Sequence, residues 1–433
     1  MNSLDLTDHV GRTGLPAAAQ ANVSLHAKKI GLQALIAVLL FVYLADFPGR
    51  ERSSGFDAQI VVRLAIAAAC GLVGLWRLSR SVELINWFPG ALSVGLGLWA
   101  TMILPASIDP ARSIVATCII WCVILFVPAV MQQLSAKEFI AAVLVSQFVF
   151  FVACWITYLI APEFGGYEFV GRDGELYYRF GGLVHPNGLG HEAAIFLILL
   201  LATGLNRWTH WKVLAAPALF ALVTLIRTES RTSIIAAALA ALLLLCCYGI
   251  LRLPKAPVAW FLAAVLIVVL GTAEWNQESL LRNFSRSGDL EEVIGANGRA
   301  DVWEFAVSKI ADSPLTGYGC GCGYTVTFEK YDQAAPHAHN QFLGIMMDMG
   351  VPGGLLLAGM VAALLWSMVT RPDAMPDGIF LLLVISGITE IPVFSAHPLT
   401  ATLLWIAALH WRKVYPATQE SREPAVAIEG TCP

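Results

Sequence analysis

The chain has 433 residues, of which 57% are hydrophobic and 13% charged, with a mean hydropathy of +0.69. Soluble domains carry about a quarter charged residues, so this composition excludes an ordinary soluble domain. Long apolar runs recur along the whole length and the alternating ten-residue segments of a barrel are absent, which leaves a helical chain that crosses a membrane repeatedly. The net charge of -4 decides little, because charge matters here by side of the membrane.

About thirty mostly polar residues precede the first apolar run, which is not the layout of a cleavable signal. Residues 1–29 read as a disordered tail ending in Lys28-Lys29. The apolar runs then fall at 30–47, 58–76, 85–105, 113–131, 139–160, 188–205, 213–226, 233–250, 258–272, 340–369, 378–392 and 399–411. Their lengths predict an all-α polytopic membrane protein with about twelve transmembrane helices. The layout is nine helices within 30–272, one large loop at 273–339, three helices within 340–411, and a second tail at 412–433.

Basic residues in the short connections orient the chain. With the N-terminus inside, Lys28-Lys29, Arg77, Arg80, Lys137, Arg207, Lys212, Arg252, Lys255, Arg371 and Arg412-Lys413 all fall on the cytoplasmic side. The long connections, 161–187 and 273–339, then fall outside. Outside arginines run against that bias and invite a functional reading. Arg50, Arg52, Arg172, Arg282 and Arg286 read as solvated loop charges, and Arg63 as a cation snorkelling from its helix.

Four outer segments carry chemistry-bearing residues. In Arg179-Phe180-Gly181-Gly182-Leu183-Val184-His185-Pro186-Asn187-Gly188, turn residues precede a helix start. Asn187 is a candidate N-cap, and a positive helix end beside Arg179 suits a diphosphate. Ordinary turn chemistry, with His185 bonded to a loop carbonyl, is the rival. In Arg227-Thr228-Glu229-Ser230-Arg231, a short turn holds Arg231 near the hydrocarbon, where an arginine must pair, snorkel or bind an anion such as phosphate through its planar fork. Arg299 and Trp303 are four apart on a short expected helix and share a face. That pairing suits a phosphate and a sugar ring, or packing of Trp303 into a loop core.

The fourth segment is His337-Ala338-His339-Asn340, at the start of a membrane helix. A neutral imidazole suits proton removal from a sugar hydroxyl near pH 7. Metal binding ranks lower, because an i, i+2 spacing does not put both histidines on one helix face. Asp348, Glu390 and His397 are further ionisable groups in or beside helices. Cys320 and Cys322 are too close for an easy disulfide and lack a second pair at zinc spacing. The other cysteines in apolar runs, Cys70, Cys118, Cys122, Cys154, Cys246 and Cys247, read as small hydrophobes.

Taken together, the Arg179…His185-Pro186-Asn187 run, the Ser230-Arg231-Thr232 turn, the Gly298-Arg299…Trp303 segment and His339-Asn340 with Gly350-Val351-Pro352-Gly353 resemble the O-antigen ligase and polymerase superfamily of bacterial envelope glycosyltransferases. The resemblance implies a GT-C-like fold in the bacterial inner membrane, a periplasmic active site in and around the large loop, and inverting transfer without metal or other cofactor. The implied donor is a polyprenyl-diphosphate-linked glycan, and the acceptor a lipid-linked repeat unit or a lipid A core. Carried over, His339 is the base, Arg231 and Arg299 hold the diphosphate, and Arg179, His185, Asn187, Arg227, Trp303, His337 and Asn340 line the substrate site. A chain-length regulator is a candidate partner; nucleic acid is not expected. The 273–339 loop carries more acids than bases. A phosphorylated lipid A core would favour a basic mouth, so the balance points to a polymerase building exopolysaccharide or O-antigen, with a ligase as the alternative. A lipid-linked glycan transporter is the other class, and it would show broken helices near the midplane.

Overall fold

A computed structural model describes residues 17–45, 58–78, 88–170, 176–248, 299–331, 337–394 and 399–416. The expected span 258–272, the loop arginines Arg50, Arg52, Arg172, Arg282 and Arg286, and His397 lie outside these residues. In chain order the elements are α1 (Ala17–Leu44), α2 (Ala58–Leu78), α3 (Phe88–Met102), α4 (Pro110–Met131), α5 (Ala136–Ile160), the one-turn α6 (Pro162–Gly165), β1 (Gly166–Val170) and β2 (Leu176–Phe180). They continue with α7 (Pro186–Leu205), α8 (Trp211–Arg227), α9 (Arg231–Tyr248), α10 (Arg299–Asp312), α11 (Gly323–Tyr331), α12 (Gln341–Thr370), α13 (Ala374–Gly387) and α14 (Leu399–Val414). Among the described residues, six helices (α1 from His26, α4, α5, α7, α9 and α12) are long and apolar enough to cross a membrane, and α3 and α13 are shorter apolar helices.

The chain is therefore a multi-pass helical membrane protein. Two local expectations are corrected. Residues 17–29, expected as part of a disordered tail, belong to α1, and Lys29 within it pairs with Glu138 at 2.9 Å. The connection after α5, expected without strands, holds an antiparallel hairpin with Gly166 opposite Phe180 and Val170 opposite Leu176.

Local signals explain several helix starts. Asp109 caps α4 by accepting from Arg112 N at 3.0 Å, with Pro110 at the first helical position. Ser135 and Glu138 form a reciprocal capping box on α5. At the other end of α1, Arg63 departs from expectation. It is buried, not snorkelling, and its guanidinium donates to the carbonyls of Val42, Tyr43 and Ala45, satisfying orphan groups where α1 ends. α7 and α14 lie at the centre of the bundle, with α7 against α8, α9 and α13 and α14 against α4 and α13. Apolar side chains such as Leu72, Leu159, Ile160 and Trp366 face outward, as a lipid environment allows.

The helix that organises the functional end is α12, and it is broken. Gly350 has φ 67° and ψ -174°, inside what sequence reading treats as one continuous run. In an unbroken helix the carbonyls of Met347, Asp348 and Met349 would accept from residues 351, 352 and 353. Residue 352 is proline and has no N–H. The segment between α10 and α11 supplies the missing partners. Tyr318 N donates to Met347 O at 2.8 Å, Gly319 N to Asp348 O at 3.0 Å, and Val351 N to Pro314 O at 2.7 Å. Trp99 of α3 completes the set with Nε1 to Met349 O at 2.7 Å. The Asp348 carboxylate accepts from Gly323 N at 2.6 Å, which makes this candidate residue an anchor for the loop. The same segment is fixed to the start of α4 by Ile108 N to Tyr318 O and by Arg112 Nη1 to Thr325 Oγ1. Arg112 thus has a structural task. Cys320 and Cys322 are buried beneath this dock as free thiols, and burial pushes the Cys320 thiol well above its ordinary value.

A side chain at position 350 would both sit at positive φ and collide with the Leu315 carbonyl. The conformation alone costs an L-residue roughly 1–2 kcal/mol. Gly350→Ala is therefore expected to lower the thermal unfolding midpoint of the detergent-solubilised protein, read by fluorescence-detected size exclusion. A midpoint equal to the parent's would show that the break is not imposed by the docked loop.

Candidate active site

The expected residues gather at two places. The first is the turn between α8 and α9 and the start of α7. His185, and not Asn187, is the N-cap of α7: its Nδ1 accepts from Asn187 N at 3.2 Å. Pro186 pre-sets the first helical position, so the cap falls one residue earlier than the Pro-Asn-Gly turn suggests. The freed Asn187 side chain accepts from Arg179 Nη2 at 2.8 Å. Arg179 also donates to Thr228 O, from Nε at 3.1 Å and Nη2 at 2.8 Å, and is only 7% exposed. Arg179 and Asn187, expected to line the site, here hold β2, α7 and the Thr228 turn together.

That turn is tight. Glu229 has φ 53°, and a Cβ on Gly190 would lie 2.6 Å from Ser230 Cβ, so only glycine lets α7 approach this closely. Ser230 and Ser233 share a hydrogen bond at 2.9 Å. On this platform Arg227 and Arg231 flank the turn, both exposed, with Arg227 Nη2 donating to Tyr158 Oη at 3.2 Å. Arg231 is the first residue of α9, where the sequence reading put it.

The second place is the start of α12. Asn340 is its N-cap, with Oδ1 accepting from Phe342 N at 3.0 Å and Leu343 N at 3.1 Å and Nδ2 donating to Ile388 O at 3.1 Å. The Asn340 side chain, expected to contact substrate, here caps the helix and ties it to Ile388. Gln341 exchanges two 2.8 Å hydrogen bonds with the backbone of Val393. These two side chains bracket Glu390 and bring its carboxylate 3.2 Å from His339 Nδ1. His339 itself has φ 47°, a conformation in which histidine is enriched among non-glycine residues but which is still uncommon. That left-handed turn folds the chain back, so that His339 N donates to His337 Nδ1 at 3.2 Å and the two rings lie 3.9 Å apart.

The helix-face reason for ranking a metal low therefore does not apply. His337 and His339 precede the helix, and with Glu390 they bring three ligand atoms within 4.8 Å of one another. Ala338, between the histidines, is buried in a small core with Ala306, Val326 and Met347. That core docks α10 beside the histidines, and Arg299 opens α10. Only the backbone of Arg299 is described. Trp303, one turn later, is half-buried, and its Nε1 has no hydrogen-bond partner among the described residues.

One further buried histidine was passed over by the sequence reading. His191, one turn into α7, is 7% exposed, its Nε2 has no partner among the described residues, and it lies within the electrostatic reach of Glu390. Its neighbour Glu192 is buried against Gln147 Nε2 at 2.8 Å. The signal was present: His191-Glu192 is an ionisable pair inside an apolar run, as Glu390 is an acid at the end of one.

Arg179→Ala strips two donors from the buried Thr228 carbonyl. Hydrogen bonds from a charged group contribute about 1.5–3 kcal/mol each, so a clear fall in the thermal midpoint is expected, against little change for the exposed Arg227→Ala. Equal midpoints for Arg179→Ala and the parent would contradict the positioning role.

No curated protein matches this chain. Residues 216–358, roughly a third of it, match the family model described as O-Antigen ligase. The matched segment contains the α8–α9 turn with Arg227 and Arg231, the Arg299–Trp303 helix, the docked loop and the capped start of α12 with His337 and His339. Over that segment this multi-pass membrane protein is similar to the O-antigen ligase family.

Proposed function

We propose that the chain is an inverting, metal-independent membrane glycosyltransferase of GT-C-like architecture. It polymerises polyprenyl-diphosphate-linked repeat units on the periplasmic side of the bacterial inner membrane. The observation that carries the chemistry is the His339–Glu390 pair at a capped helix start, with His339 inside the family-matched segment and Glu390 beyond its end.

The reaction follows from the pair's geometry. Glu390 holds the His339 Nδ1 proton, which fixes the ring and leaves the Nε2 lone pair as the base. Nε2 takes the proton of the acceptor hydroxyl as that oxygen forms its bond to the anomeric carbon. The bond from that carbon to the diphosphate oxygen breaks, and the leaving diphosphate carries the electron pair. Glu390 stabilises the imidazolium that results, as a carboxylate does behind any histidine base. Arg231 and Arg299 take the growing charge on the diphosphate, a task for planar guanidinium forks. Arg227, His185, Trp303 and His337 would contact the glycan and the diphosphate beside them. The outside location rests on the distribution of Lys and Arg in the short connections.

The excess of acids in the 273–339 loop favours a lipid-linked acceptor over a phosphorylated lipid A core, hence polymerase over ligase. The break at Gly350 withdraws one argument against a transporter, since α12 is not continuous. Against transport stands the family match over residues 216–358, together with the polar groups at the starts of α7 and α9 and the His337–His339–Glu390 cluster at the start of α12.

Reconstituted protein given the host's polyprenyl-diphosphate repeat unit and chelator is expected to make a ladder of longer glycans without added lipid A core. His339→Ala should abolish the ladder, and Arg231→Lys should reduce it by orders of magnitude, because an ammonium lacks the fork. Product only when lipid A core is added would make the protein a ligase. No new glycosidic bond in either case, with folded protein, would sink the transferase reading.

A further inference from the structure

The same three side chains that form the proposed base form a metal-binding set. We infer that His337, His339 and Glu390 bind a single divalent transition-metal ion of the zinc class, and that this ion blocks the base. Two imidazoles and one carboxylate are a donor set suited to zinc, cobalt or nickel and poorly suited to magnesium or calcium. Their ligand atoms already lie within 4.8 Å of one another. Closing the set needs only small side-chain movements, because the backbone has done the larger part. The positive φ at His339 brings the rings to 3.9 Å, while Asn340 and Gln341 fix the Glu390 segment from the other side. All three side chains are partly exposed, so an ion has a route in.

The chemistry of occupancy is a proton shift within the ring. In the base form of His339 its one proton is on Nδ1, facing the Glu390 carboxylate at 3.2 Å. An entering cation takes Nδ1 and the Glu390 oxygen as ligands and a ring nitrogen of His337 as the third, with water in the fourth position. The displaced proton passes through solvent to Nε2, so the ring stays neutral and no net proton is released. A neutral imidazole bound through Nδ1 carries its one proton on Nε2. That nitrogen can no longer accept one from a hydroxyl, so the occupied site is inactive. Binding stands on the geometry alone; inhibition rests on the proposed role of His339.

The test uses purified full-length protein stripped with chelator. Co2+ is titrated in and followed by its visible absorption, then displaced by Zn2+. One ion per chain is expected, with the tetrahedral-type spectrum, and affinity falling about tenfold or more in both His337→Ala and Glu390→Gln. Thermal midpoints establish that each variant is folded. As a readout without variants, Zn2+ should raise the midpoint of the parent protein, since a ligand bound only to the folded state stabilises it. No bound ion, or binding unchanged in both folded variants, would overturn the site. Zn2+ should also stop glycan transfer at matching occupancy, with recovery on adding chelator. Occupancy with transfer intact would overturn the blocking step and remove His339 as base, while leaving the metal site standing.

Discussion

The break in α12 is the constraint on which the functional end depends. A proline at 352 and a positive-φ glycine at 350 leave the carbonyls of residues 347–349 and one N–H without helical partners. Within a bundle surrounded by lipid such groups must be satisfied by protein, because there is no water to do it. The segment 313–323 and Trp99 do so, and in doing so fix a polar loop against α3, α4 and α12 at once. The loop is thereby part of the scaffold. α10 precedes it, docked through Ala306 onto Ala338 and Met347, so the helix opened by Arg299 and the His337–His339 turn share one small core.

From that frame the site is assembled by capping interactions more than by charge. Asn340 caps α12, His185 caps α7, and Arg179 ties the α8–α9 turn to both β2 and α7. Each of these polar side chains is turned to backbone or to a neighbouring side chain. Arg227, Arg231 and the His339–Glu390 pair stand on the platform they make. At the opposite end of the bundle a second buried network, Arg412 with Asp377, Tyr248 with Asp377, and Trp411 and Asn206 with Asp373, joins α7, α9, α13 and α14. Paired charges of this kind hold helix ends together where an unpaired one would be costly.

Much of this was legible in the sequence, and the limits have physical reasons. Helices were legible because a span has a minimum length, and apolar runs of that length seldom arise in a soluble domain. The α8–α9 turn and the polar start of α12 were legible because arginine and histidine are expensive beside hydrocarbon. The Gly350-Val351-Pro352-Gly353 run was read inside one continuous apolar span, because what satisfies the break lies elsewhere: in the 314–319 segment, and in Trp99, 250 residues away. Glu390 was visible as an ionisable group, but its pairing with His339 spans 51 residues and depends on the Asn340 and Gln341 contacts. Arg63 looked like a snorkelling cation because nothing local shows that the carbonyls of α1 end beside it. Residues 17–29 are polar enough to read as a tail and still helical, since helix and burial are separate properties.

The central claim is that Glu390 acts through His339 and not on its own. A double-mutant cycle tests it most directly, measuring turnover and KM for glycan transfer with the parent, Glu390→Gln, His339→Ala and the double variant. Glu390→Gln should lower kcat by one to two orders of magnitude, about 1.4–2.8 kcal/mol in barrier, with KM little changed. In the His339→Ala background the same substitution should cost nothing further. Losses that multiply in the double variant would mean that Glu390 and His339 act independently, and the dyad would not be the catalytic unit.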